Sequence, residues 1–467
     1  MSDTLMISVS GMRGHVGTDL TPELVARHAA ALGAWVRTSA SGQMAAAASA
    51  RADRPAVVLG RDARTSGPMF GHAAAAGLMS VGIDVIDLGV VPTPTVQLAV
   101  EHHHAGAGLI ITASHNPIEW NALKFVGADG IFLDAEAGAR VRALADEGPP
   151  RMGWEGIGTL REDRDAVRRH LDAVLALPLI DVAAIRARGF HVALDCVRGA
   201  GASAIPPLLE RLGCRMSGIN LEPDGHFPRA PEPVPENLGE LGELVRRSGA
   251  DVGFAVDPDV DRLALVDEHG EPIGEDYTLA FAVRAVLDGR SSEAEMPTVV
   301  INLSTSLVVE DAARAAGARL VRAPVGEANV ARAIRDEGAV IGGEGNGGVM
   351  LPALHIGRDA PLGVALILHL LATSGLTVSE LVKSSRRYTI VKAKGPRGPE
   401  LRPLYLDLRA HFPDAEADER DGLRLSWSDR WLHVRPSGTE PIVRLIAEAP
   451  TRADAESLIA EARKLLQ

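Results

Sequence analysis

The chain has 467 residues, enough for two to four domains at roughly 100–200 residues each. Its 61 acidic against 48 basic residues leave a formal charge of −13, and only 3% of residues are aromatic, so the basic surface and stacking platforms of a nucleic-acid binder are both missing. A hydrophobic content of 46% excludes disorder, and two cysteines, Cys196 and Cys214, exclude a disulfide framework and read as buried thiols in a reducing compartment. The N-terminus carries no apolar core of signal-peptide length, and no run of about 18 apolar residues occurs, since the longest candidate, 363–376, is interrupted by His369, Thr373 and Ser374. The expectation is a soluble, cytoplasmic protein with neither nucleic acid nor membrane as partner.

In chain order, residues 39–54 (SASGQMAAAASARADR) are small and polar without strong periodicity, which predicts an exposed loop or insertion. Residues 56–60 (AVVLG) then open a unit: a polar Arg/Thr/Ser/Gly loop, an Ala-rich helical stretch, Gly82 and IDVIDLG. Adjacent histidines on a helix point in different directions, so His102, His103 and His104 predict a solvated helix end more than a metal site. The same unit returns at 191–195 (HVALD), followed by CVRGAGAS, a helix ending ERLG, and CRMSGIN. The Pro-rich stretch 228–237 (PRAPEPVPEN) reads as an extended connection, either a plain linker or the wall of a cleft. A third unit begins at 298–302 (TVVIN), with LSTSLV, the helical EDAARAAG and ARLVRAP. Each unit is the βαβ pattern, its helix closed by glycine, and the repetition implies parallel or mixed sheets covered by helices. From about 380 the order changes to a helix, strand-like GLRLSWS, RWLHVRPS and IVRLIAEA, and a helix near 453–466, which predicts a smaller α+β domain.

Four polar loops follow apolar runs. TASHNP (112–117) presents Ser114 beside His115, a nucleophile next to a base or else a serine capping a turn. In DPDVDR (257–262), Asp257, Asp259 and Asp261 alternate and converge, and an oxygen-only donor set suits Mg²⁺ over Zn²⁺; a solvated acidic turn is the alternative. GGEGNGG (342–348) brackets Glu344 and Asn346, which suit hydroxyl groups, with glycines that permit close backbone approach or simply a flexible turn. RPSGTEP (435–441) offers Arg435, two hydroxyls and backbone N–H groups at Ser437, Gly438 and Thr439, a phosphate wrap or a glycine turn. Together they describe machinery for moving phosphoryl groups on a sugar.

This set, in this order, resembles the α-D-phosphohexomutases, the family of phosphoglucomutase, phosphomannomutase and phosphoglucosamine mutase. The resemblance runs from SVSGMRG (8–14) through PEPVPENL (231–238) to RPSGTEP and the last helix. It implies three similar mixed-sheet α/β domains plus a smaller α+β C-terminal domain around a central cleft, expected at 1–155, 156–274, 275–376 and 377–467, with a hinge near 374–386. It also implies a phosphoserine at Ser114, and Mg²⁺ on Asp257, Asp259, Asp261 and an oxygen of phosphorylated Ser114. Arg13 and Arg262 are expected to face the catalytic phosphate, Lys124 to do acid/base work beside His115, and Glu344 and Asn346 to read sugar hydroxyls. Arg435, Ser437, Gly438 and Thr439 are expected to grip the non-transferring phosphate. The implied activity interconverts 6-phospho and 1-phospho hexoses through a hexose 1,6-bisphosphate, by a monomer or homodimer.

One departure stands out. The family's sugar loop commonly reads GExSGH, whereas here Asn346 replaces the serine and Gly348 stands in place of the histidine. His355 or Arg358 in the following LHIGRDA is the expected substitute, and the GEGNGG…GRDA variant leans toward glucosamine phosphate over glucose or mannose phosphates. A phosphatase of the haloacid-dehalogenase type built on Asp257 would leave TASHNP and RPSGTEP unexplained, and a non-catalytic sugar-phosphate regulator would be expected to lack Ser114 or a loop aspartate, all of which are present.

Overall fold

The computed structural model describes residues 5–8, 11–44, 54–288, 296–396, 400–436 and 442–466. The three predicted βαβ units each open a mixed sheet. Their first strands, Ala56–Arg61, His191–Asp195 and Thr298–Asn302, are buried almost throughout, which is why they read as unbroken apolar runs. Each pairs in parallel with a second strand, Asp84–Val90, Arg215–Ile219 or Arg319–Ala323. Each also pairs in parallel with a third, Ala107–Ile111, Val252–Val256 or Ile341–Glu344. The third strand then turns back antiparallel into a fourth, Trp120–Gly127, Leu263–Val266 or Gly348–Met350. The loops carrying TASHNP, DPDVDR and GEGNGG all lie at this third-to-fourth turn. They are therefore topologically equivalent, at strand ends where α/β sheets place ligands.

The first sheet is widened to seven strands by Met6–Ser8 and Gly11–His15 on its antiparallel edge and by Leu160–Glu162 on the other. The last sheet is wholly antiparallel, in the order Thr389–Pro396, Ile442–Ala449, Trp431–Pro436, Leu423–Ser426, Glu416–Asp418. Helices Arg402–His411 and Arg452–Leu465 pack with it, which makes this the smaller α+β domain.

Two expectations need correction. The loop predicted at 39–54 is partly helical, because helix Pro22–Met44 runs through its first six residues and 45–53 lie outside the described residues. Once nucleated, a helix propagates through Ala, Ser and Gln, and the one glycine among them costs only about 1 kcal/mol. Nor are the three histidines all solvated: His102 and His104 are exposed, but His103 Nε2 lies 2.7 Å from Asp163 Oδ2.

The second and third sheets share one hydrophobic core. Helix Ala360–Ser374 lies within it, apolar on every side and buried from Ala360 to Leu368, which explains the long apolar run read in the sequence. No single helix among the described residues is long and apolar enough to cross a membrane.

The last domain docks on the third through buried polar groups. Fully buried Glu448 accepts from the backbone N–H of Leu307 at 2.8 Å, from Trp431 Nε1 at 2.6 Å and from the Ser306 hydroxyl, so it caps the start of helix Leu307–Ala315. His433 Nε2–H donates to the Asp421 carbonyl at 2.7 Å, leaving Nδ1 to accept from Ser304 Oγ at 2.8 Å. Burial pushes the His433 pKa down from 6.5 to about 4. Between those values the unfolded chain binds a proton that the folded chain refuses. Stability carried by neutral His433 is therefore present above about pH 6.5 and lost as pH falls toward 4, by roughly 3 kcal/mol in the limit. Urea titrations at pH 7 and pH 4.5 should show His433→Gln losing less stability on acidification than the unsubstituted chain; equal losses would sink the assignment.

Candidate active site

The Ser114 loop is built around a buried guanidinium. Arg64, wholly buried, donates to the carbonyls of Ser114 (2.6 Å), Asn116 (2.7 Å), Pro117 (2.6 Å) and Trp120 (2.9 Å), and its Nε pairs with Asp62 at 3.0 Å. Asp62 also accepts from Thr112 Oγ1 at 2.6 Å, and Thr112 Oγ1 in turn accepts the Ser114 N–H at 2.9 Å. These bonds hold Ser114 at φ +50°, a left-handed conformation that costs a non-glycine residue of order 1–3 kcal/mol. Sequence reasoning missed Asp62 and Arg64. Their D-x-R spacing at the end of a buried strand was the available signal, because a charge placed there needs a partner.

So held, Ser114 Oγ donates to Asp257 Oδ2 at 2.9 Å and lies 3.3 Å from His115 Nδ1. The charges of Arg262 first, then burial and Arg13, hold the His115 pKa well below the usual imidazole range. A neutral ring can accept the serine proton. Arg13, from strand Gly11–His15, bonds Asn116 Oδ1 at 2.6 Å and so reaches the same loop.

Asp257, Asp259 and Asp261 are all fully buried, with carboxylate oxygens within 4.8 Å of one another. Asp259 Oδ2 accepts from Lys124 Nζ at 2.8 Å and from Thr93 Oγ1 at 2.9 Å, and the Thr93 N–H binds the Asp259 carbonyl at 2.8 Å. The first domain thus grips the Asp loop of the second. Burial raises the carboxyl pKa of Asp259, but Lys124 overcomes it and the net shift is downward. Asp257 is pushed well up, by burial first and then by Asp261 and Asp259. Asp259 Oδ1 and Asp261 Oδ1 are buried without a hydrogen-bond partner. Converging hard oxygens, two of them orphaned, fit a divalent cation such as Mg²⁺. The loop itself is strained, since β-branched Val260 sits at φ +63°. Its fully buried side chain and the bond from the Ala360 N–H to its carbonyl at 3.3 Å hold it there.

Arg262 lies over this cluster, its Nε 3.7 Å from Asp261 Oδ1 and 4.0 Å from Asp257 Oδ2, while its NH1 pairs with Glu232 at 3.3 Å. Glu232 belongs to the Pro-rich stretch, which is a cleft wall and not a plain linker. A cavity of about 510 Å³ runs between His115, Pro117, Phe227, Arg229 and Glu232. A second, of about 630 Å³, passes from Glu232 to Tyr277, Lys392, Glu448 and Arg452, reaching the last domain.

In the third domain Glu344 Oε1 accepts from Asn302 Nδ2 at 2.9 Å and the Gly326 N–H at 3.1 Å, while Oε2 accepts from Arg358 NH1 at 2.9 Å. Asn346 Oδ1 accepts the Gly348 N–H at 3.2 Å and closes its own turn. Of the two expected substitutes for the missing histidine, only Arg358 reaches the site, through Asp261 at 2.5 Å. His355 is drawn off into a buried cluster, sharing Asp359 Oδ2 (2.9 Å) with His170 (2.7 Å). Arg435 is paired with Asp421 at 3.0 Å; Ser437, Gly438 and Thr439 lie outside the described residues.

The site thus brings together a strained serine hydroxyl, a neutral imidazole, a hard-cation cradle and a ring of Arg and Lys side chains, a combination suited to transferring a phosphoryl group. Four family models match the chain in succession: phosphoglucomutase/phosphomannomutase alpha/beta/alpha domain I at residues 5–151, domain II at 168–270, domain III at 274–388, and the C-terminal domain at 397–465. The chain is 37% identical to a phosphoglucomutase/phosphomannomutase of Thermococcus kodakarensis, over 98% of this chain and 97% of that one. It is 36% identical to a protein of Methanopyrus kandleri named "Probable phosphoglucosamine mutase", over 96% and 95%. Among solved structures, a phosphoglucomutase/phosphomannomutase family protein of Burkholderia thailandensis superposes with a TM-score of 0.84 at 25% identity, covering 100% of this chain and 97% of that one.

Proposed function

The chain belongs to the phosphoglucomutase/phosphomannomutase family and is a phosphohexomutase, and from that premise we propose that it interconverts glucosamine 6-phosphate and glucosamine 1-phosphate through phosphorylated Ser114. The observation that carries this reading is the Ser114 hydroxyl, 2.9 Å from Asp257 in a carboxylate cluster with two orphaned oxygens. Asp257, Asp259, Asp261 and a phosphoserine oxygen would hold Mg²⁺, which when bound supplies positive charge against the phosphoryl oxygens.

Ser114 gives its phosphoryl group to the free hydroxyl of the hexose monophosphate. The O–P bond to serine breaks as the bond to the sugar oxygen forms, and Lys124 handles the proton of that hydroxyl. Arg13 and Arg262 stabilise the charge spread over the transferring group more in the transition state than in the ground state. The 1,6-bisphosphate then reverses in the cleft and returns its other phosphoryl group to Ser114. Arg435, Ser437, Gly438 and Thr439 hold the phosphate that is not being transferred, with Glu344 and Asn346 beside the sugar hydroxyls. Closure of the last domain about 374–386 excludes water. The name of the Methanopyrus kandleri relative supports glucosamine as the sugar, and that of the Thermococcus kodakarensis relative supports glucose or mannose as the alternative.

Incubation with radiolabelled hexose 1,6-bisphosphate should place label on Ser114. Label on Asp257 would instead mean aspartyl-phosphate chemistry. Side-by-side kcat/KM values should favour glucosamine 6-phosphate over the glucose and mannose esters; the reverse order overturns the sugar assignment and leaves the phosphoserine intact.

A further inference from the structure

Gly348 does not take a left-handed conformation, so its backbone does not demand glycine. Space does. A Cβ built there would lie 2.2 Å from Arg358 Cδ and 2.8 Å from its Cγ, closer than any real contact. The side chain of Arg358 therefore runs through the volume that a side chain at 348 would need. It is held there over its whole length. Arg358 Nε donates to Glu327 Oε2 at 3.0 Å, NH1 to Glu344 Oε2 at 2.9 Å and NH2 to Asp261 Oδ2 at 2.5 Å, and Arg358 is only 7% exposed. The partners come from three places: the start of helix Glu327–Asp336, the end of strand Ile341–Glu344, and the Asp loop of the neighbouring domain. One planar guanidinium thus ties the sugar-side loop to the metal-side loop.

We propose that Arg358 is a positioning residue that sets Asp261 and Glu344 relative to each other, and that residue 348 is glycine to let it pass. Its guanidinium stays protonated at any working pH, so Arg358 does not shuttle protons; it fixes geometry. Lysine keeps the charge but has no fork to span three carboxylates. By occupying Asp261 Oδ2, Arg358 leaves Oδ1 as the free donor toward a cation.

The test uses the full chain with two substitutions that preserve charge. Arg358→Lys removes the fork, and Gly348→Ala displaces the arginine without deleting an atom of it. Each should raise the Kd for Mg²⁺, measured by isothermal titration of the metal alone, by about tenfold, the usual scale for an outer partner of a metal ligand. Each should also raise KM for sugar phosphate, because Glu344 moves as well. Since both act through the same contact, the double variant should be little worse than the worse single one. A purely structural role would lower Tm and leave the Mg²⁺ Kd unmoved. An unmoved Kd in both variants, or fully additive effects, overturns the proposal. If Arg358→Lys does not fold, Gly348→Ala decides alone. The proposal rests on the Ser114–Asp cleft being the active site, and the two failures are separable. Full turnover in Ser114→Ala defeats that reading, whereas an inactive Ser114→Ala together with an unmoved Kd defeats only this one.

Discussion

Replacing Ser114 with alanine is expected to lower mutase turnover by about four orders of magnitude or more, the scale on which enzymes lose rate when a covalent nucleophile is deleted but the binding groups stay. The substitution removes one oxygen and disturbs little else. The carbonyl of residue 114 would still accept from Arg64, and the backbone N–H would still reach Thr112 Oγ1. Arg13, Arg262 and Lys124 are anchored to Asn116, Glu232 and Asp259, none of which depends on the hydroxyl. Binding of a hexose monophosphate, followed by calorimetry, should therefore stay within a few-fold. An alanine variant that turns over at a near-normal rate would falsify the phosphoserine assignment.

The second large effect is expected at a residue that touches no substrate. Arg64→Met keeps most of the volume and removes every donor. Four loop carbonyls then lose their partner, and buried Asp62 loses its counter-charge. Breaking a buried pair in this way costs about 3–5 kcal/mol, because one charge is left uncompensated in a dry interior. Burial already pushes the Asp62 pKa up against the opposing pull of Arg64, so without the arginine it should rise further. Turnover should also fall, by roughly a hundredfold in the surviving folded protein, since the left-handed Ser114 loses the frame that aims its hydroxyl. Arg64→Lys should recover little, having no planar fork to reach four carbonyls. A wild-type urea midpoint and kcat in Arg64→Met would show that the guanidinium does not hold the loop.

These two residues differ in how far the sequence exposes them. Ser114 sits in TASHNP, a polar hexamer after an apolar run, and local pattern alone flagged it. Arg64 lies in a loop that reads as ordinary turn chemistry, and only its burial shows what it does. Arg358 is intermediate: the LHIGRDA motif is legible, yet which of Arg358 and His355 reaches the Asp loop depends on which way each side chain turns. His355 faces Asp359 and His170, a cluster joining helices Thr93–His102 and Ala360–Ser374 through Thr95. Asn346, expected to face sugar hydroxyls, spends its side-chain carbonyl on its own turn, a bond that the motif alone does not reveal.

The sequence by itself determined the three repeated strand–helix–strand units and where the TASHNP, DPDVDR and GEGNGG loops fall on them, because these depend on residues a few positions apart. Periodicity, glycine stops and short motifs are local signals. Tertiary structure decided which loops meet. Ser114 finds Asp257 across 143 positions, Lys124 finds Asp259 across 135, and Arg358 finds Asp261 across 97. It also decided that three of the loops are the same turn of the same repeated sheet, facing one cleft. Such meetings are set by how whole sheets pack against shared helices, a sum of many weak apolar contacts that no single stretch of chain encodes.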